Sequence, residues 1–171
     1  ELGAHTLAVG PMEKVKSKAS NRRMPYLGLD TLGSDEDARV IPWAKKVLPK
    51  KFGAGGRFGC FGKKPARTLP TDVSVCVSNA VDWAAAKNKF FAQVLAPEGG
   101  ASDCRLHAWR DMASSNTLVM SRMAADLVFG GQVLQAGETL ERSASYYVGP
   151  TKFSELRKLG NKQDQVMLRA W

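Results

Sequence analysis

The sequence predicts a mainly β fold, an antiparallel twisted β-sandwich with one short helix late in the chain. Three observations predict it. Val73, Val75 and Val77 alternate with Ser74, Cys76 and Ser78, the two-residue period of a half-buried strand. Further strand-like runs recur at 104–109, 116–129 and 142–148, with glycine turns among them. Only the stretch 151–159, entered through Gly149-Pro150, carries a late helical stripe with a stop at Gly160-Asn161. Many short strands joined by turns pack as a sandwich.

The 171 residues fit a single domain with a sizeable core. They contain no apolar run of about 18 residues and no basic-then-apolar signal segment. Starting at Glu1 and stopping at Trp171, they read as a piece of a longer polypeptide. The net charge of +9 is uneven: residues 1–67 carry a net +8 and residues 68–171 a net +1. The domain therefore divides into a basic, loop-rich front (1–70) and a near-neutral sandwich body (71–171). Anionic head groups, nucleic acid or plain solubility each account for such a front.

Taken in order, residues 2–9 predict a strand that ends at Gly10-Pro11. Residues 12–23 are polar and basic without apolar periodicity, hence a loop or arm. Residues 25–29 predict a second strand and 33–37 an acidic turn. Within 40–48, Pro42 suits the first position of a short helix. Five glycines and two prolines leave 50–70 without a regular element, pinned to the body by Phe52, Phe58 and Phe61. Residues 132–140 predict two short strands around the turn Ala136-Gly137-Glu138. Tyr146 and Tyr147 fall on opposite faces of their strand. Phe153, Leu156 and Leu159 form the buried side of the late helix, and 166–168 predict a last strand. Cys76, inside a strand, reads as a buried thiol.

The longest apolar stretch, 81–97, is ambiguous on pattern alone. Trp83, Ala86, Phe90 and Val94 fall near helical spacing, with Asp82 as a cap and Pro97 as a stop. The alanines favour a helix, whereas the aromatic and branched residues at 90–95 favour a strand.

No catalytic, cofactor or metal site is expected. His107 has Asp103 and Asp111 nearby in sequence, but a triad requires convergence that spacing does not supply. His5 is alone, and Cys60, Cys76 and Cys104 make no metal spacing. The glycine-rich loop fails the phosphate-binding pattern twice: Arg57 stands where the first glycine belongs, and Lys64 follows Gly62-Lys63.

Three segments together resemble the large periplasmic domain of YidC-type membrane protein insertases. Residues 83–92, WAAAKNKFFA, followed by Val94-Leu95 and Pro97, are similar to that family's Trp-x-Ala-x-Lys-Asn-x-Phe-Phe-Ala pattern. Tyr147-Val148-Gly149-Pro150-Thr151-Lys152 is similar to the segment before the family's late helix. Gly56–Gly62 resembles a glycine-rich loop of some members. The match covers about residues 50–168. The chain is short for the domain, and Arg169-Ala170 stands where an aromatic residue and a glycine precede the membrane-entering segment.

The resemblance implies a mutarotase-like supersandwich, which turns the ambiguous stretch into strands. It makes Trp83, Lys87, Asn88, Phe90, Phe91, Pro97, Tyr147, Gly149 and Pro150 motif residues with structural tasks. Trp83, Phe90 and Phe91 would then anchor the core, each contributing about 2–3 kcal/mol. It further implies a non-catalytic docking or spacer domain on the periplasmic side of the bacterial inner membrane. Its partners would be translocon components and nascent membrane proteins. Lys45, Lys46, Lys50, Lys51, Lys63 and Lys64 are the candidate contacts to an anionic membrane surface. Nucleic acid is not an expected partner. The alternative readings are an RNA-binding or ribosome-associated basic module, and a carbohydrate-binding sandwich.

Overall fold

A computed structural model describes residues 3–13, 27–34, 39–43, 72–77, 79–110 and 120–168. Nine strands and two short helices are found among them. The strands are β1 (His5–Glu13), β2 (Leu27–Gly33), β3 (Ile41–Pro42), β4 (Asp72–Val77), β5 (Val81–Asn88), β6 (Phe91–Pro97), β7 (Asp103–Arg110), β8 (Met120–Phe129) and β9 (Ala144–Pro150). The helices are α1 (Phe153–Lys158) and α2 (Gln165–Leu168). One antiparallel sheet runs β1-β8-β7-β4 and the other β3-β2-β5-β6-β9. The predicted sandwich with a late helix is therefore the fold.

Alternation builds the space between the sheets. Val73, Val75 and Val77 of β4, Leu106 and Ala108 of β7, and Met123, Ala125 and Leu127 of β8 face Leu27, Leu29, Ala84, Ala86 and Leu95 of the second sheet. The second sheet is buried on its other face too. There Leu32, Trp83, Ala85, Ala92 and Val94 pack with Leu156 of α1 and Val166 of α2. This double burial explains the ambiguous stretch. A strand covered on both faces shows no polar alternation, so its alanine run mimics a helix.

Several expectations are corrected. The first strand does not end at Gly10-Pro11 but passes through it, with a bulge between Val9 and Met12. Gly10 has φ +99°, and a Cβ there would lie 2.9 Å from the Met123 carbonyl oxygen. Backbone sits on that side and cannot give way. Gly10→Ala should therefore cost about 2–4 kcal/mol in urea unfolding. The second strand is longer than predicted, reaching Gly33. Ile41–Pro42 is a two-residue edge strand, Trp43 after it is helical, and the remainder of the predicted short helix lies outside the described residues. The turn at Ala136-Gly137 is present, closed by Glu138 N–H to the Gln135 carbonyl, but no flanking strands form over 132–140. The last predicted strand is α2. Of the late helix only Leu156 is fully buried; Phe153 and Leu159 are exposed. A helix this short offers the sheet one inward position. The expected loop over 50–70 and most of the arm over 12–23 lie outside the described residues.

Cys76 is exposed, not buried. The same alternation that sends Val75 and Val77 inward sends Cys76 out. Among the described residues the buried cysteine is Cys104 of β7. Burial, then the Asp126 carboxylate, then Cys76, push its thiol up to about 12. Iodoacetamide at about pH 8 should label Cys76 in the native protein and reach Cys104 only in denaturant. Cys104 also sets a sign for alkaline stability. The unfolded thiol ionises first, so its contribution is intact below the ordinary thiol range and falls as pH rises towards 12.

Candidate functional site

The motif residues of the sequence converge on three neighbouring strands, β5, β6 and β9. In register, Phe91 faces Pro150, Ala92 faces Gly149, Val94 faces Tyr147 and Pro97 faces Ala144. β5 carries the remaining members and pairs with β6 from Ala84–Leu95 to Lys87–Ala92. Segments about 60 residues apart in sequence thus share one sheet.

Most of the motif residues have an identifiable task. Trp83 is completely buried beneath the helices, and its Nε1–H donates to the Asn161 carbonyl at 2.8 Å. Lys87 is equally buried on the same face. Its ammonium donates to the Asp30 carboxylate of β2 and to the Val166 carbonyl of α2. An unpaired ammonium would not be tolerated there. Lys87 lies opposite Gly28, which has no side chain to obstruct the diagonal approach to Asp30.

Asn88 points the other way, into the sandwich. Its Oδ1 accepts from the N–H groups of Phe90 and Phe91, both at 2.9 Å, and so shapes the β5–β6 turn. Its Nδ2 donates to Met12 Sδ at 3.2 Å and the Glu13 carbonyl at 3.3 Å on β1. One side chain therefore joins the turn to the opposite sheet. Tyr147 lies half-buried over its own strand, its hydroxyl donating to the Pro150 carbonyl at 2.7 Å. A Cβ on Gly149 would stand 2.6 Å from that hydroxyl oxygen, so this closed arrangement requires glycine. Burial, and then Glu155, raise the Tyr147 phenol above its ordinary range.

Phe90 and Phe91 are the correction. They are not core anchors: Phe90 sits in the turn at 50% exposure, and Phe91 is 53% exposed. Phe91 shares a face with Gln93 and Leu95, and in register with Val148 and Tyr146 of β9. The β9 edge of that face is left open by the first sheet, so Tyr146 and Val148 are exposed as well. Gln93 closes the seam beside them, its Oε1 accepting from the Gly10 N–H at 2.9 Å and the Tyr146 hydroxyl at 3.0 Å.

His107 does not meet Asp103. Its Nε2 lies 2.9 Å from Oδ2 of Asp126, across the strand pair on the outer face of the first sheet. Asp111 is outside the described residues. The His107 ring stacks near Trp109 at 5.9 Å, and Arg122 covers Trp109 at 5.4 Å. This is a self-satisfied surface ladder. Among the described residues, no three His, Cys, Asp or Glu side chains are grouped to hold a metal. A depression of about 350 Å³ beside Gly99–Ser102 and Phe129–Gln132 is lined largely by small residues, with Arg142 the sole charged lining group among the described residues. Lys45, Lys46, Lys50, Lys51, Lys63 and Lys64 lie outside the described residues.

Asp30 and Gln93 are partners that the sequence reading did not single out, and Asn161 entered it only as a helix stop. Asp30 had a signal: a lone carboxylate in the apolar run Leu27–Leu32, matching a lone lysine in the run Val81–Lys87. Comparison with protein-family models, curated proteins and solved structures returned no match.

Proposed function

We propose that this chain is the non-catalytic outer domain of a YidC-type membrane protein insertase, on the periplasmic side of the bacterial inner membrane. There it acts as a docking and spacer module beside translocon components and nascent membrane proteins. One observation carries the reading. Two of the three segments of the resemblance, 83–97 and 147–152, lie on adjacent strands, and Trp83, Lys87, Asn88, Tyr147, Gly149 and Pro150 in them perform construction tasks. Lys87 fastens α2, Asn88 shapes a turn and bridges the sheets, and Gly149 admits the Tyr147 ring. A motif spent on construction suits a rigid module better than a reaction centre. The sandwich with a late helix is also the fold that the resemblance implies.

Spheroplasts expressing the whole gene product test this. Protease added outside the inner membrane should cleave within this domain, and the remainder should sediment with the membrane. Protection from that protease, or recovery of the protein in the soluble fraction, contradicts the proposal.

A further inference from the structure

We infer that the end of the domain formed by the β5–β6 turn and the β9–α1 junction is a bilayer-docking surface for anionic phospholipid. The inference rests on the insertase reading in one respect, since that reading supplies the membrane; the surface itself is argued from its own residues.

Phe90, Phe91 and Phe153 are exposed at this end, and Val148 and Tyr146 continue the apolar strip along the β9 edge. Exposed aromatics gathered at one end of a domain mark an interaction surface. Lys89 and Lys152 flank them and are exposed. The Lys89 ammonium lies 5.4 Å from the Phe90 ring centroid, so charge and aromatic surface are presented together. The carboxylates nearby are occupied or faced by cations: Glu155 accepts from Lys158 at 2.9 Å, and Glu13 lies opposite Arg122 in register.

The turn is built for a poorly hydrated environment. The N–H groups of Phe90 and Phe91 are held by Asn88 Oδ1, and the Phe90 carbonyl accepts from the Thr151 N–H at 2.8 Å. Aromatic side chains can enter the interface without stranding these polar groups. A tyrosine at the rim with its hydroxyl on Gln93 is suited to the same boundary. Finally, α2 is directed towards this end. The chain lies beside Trp83 at Asn161 and beside Lys87 at Val166.

Flotation of the 171-residue chain with vesicles tests the surface. Vesicles of phosphatidylcholine and phosphatidylglycerol should carry the chain at low salt, and pure phosphatidylcholine much less. The pair F90S/F91S should lower the partition coefficient about tenfold or more. K89E/K152E should lower it to a similar degree and flatten its salt dependence. V133S, an exposed change in the connection at the opposite end of the strands, should bind as the parent does. Circular dichroism of each variant checks that the fold is intact. No binding by the parent, equal binding by F90S/F91S, or displacement of the vesicles by single-stranded RNA overturns the inference. None of those results alters where the whole gene product sits, so the spheroplast experiment judges the insertase reading separately.

Discussion

Asp30→Ala will destabilise the protein by about 3–5 kcal/mol, because it leaves the Lys87 ammonium buried without its counter-charge. The second half of the prediction is more telling. Replacing both charges, Asp30→Leu with Lys87→Met, should restore most of the loss. Ion pairs buried this deeply are frequently matched by apolar residues of similar volume. Recovery will fall short of the parent by roughly 1–3 kcal/mol, since the Val166 carbonyl loses its donor. Hydrogen exchange should then show early opening at α2 while β5 stays protected. Urea unfolding of the two single variants and the double variant completes the cycle. A double variant no more stable than Asp30→Ala would mean that the uncompensated charge is not the source of the loss.

Trp83→Ala is expected to cost about 3–5 kcal/mol. The indole is wholly buried between the second sheet and the helices, and it anchors the chain after α1 through the Asn161 carbonyl. Trp83→Phe separates the two contributions. It keeps most of the apolar volume and removes the donor, so the loss should shrink to about 1–2 kcal/mol. By contrast, Phe90→Ser and Phe91→Ser should each change stability by less than about 1 kcal/mol, because both side chains are half exposed. Equal losses at Trp83 and Phe91 would contradict the placement of the core.

The contrast between these aromatics shows what the sequence made legible. Strand period places residues on faces, and it placed Val73, Val75 and Val77 inward and Tyr146 opposite Tyr147. Period alone does not say which part of a face is covered. Phe91 points towards the same side as Leu95, yet it lies where the first sheet no longer screens β9, so its expected burial was wrong. Cys76 erred for a simpler reason: it occupies the outward phase of a correctly recognised strand. The helix-or-strand ambiguity over 81–97 has a physical origin in the coverage of β5 on both faces. Long-range partners were the least legible. The Asp30–Lys87 pair is 57 residues apart, and His107 meets Asp126 rather than the acids beside it in sequence. Only the topology brings such groups together.

The construction tasks of Lys87, Asn88, Trp83 and Gly149 support a rigid outer module, and that claim has a direct test. The measurement is the sequence of the gene on both sides of these 171 residues. The account predicts one apolar span of about 20 residues upstream and several more downstream of Trp171. Flanks that are polar throughout would contradict it, and the basic front would then favour the RNA-binding reading.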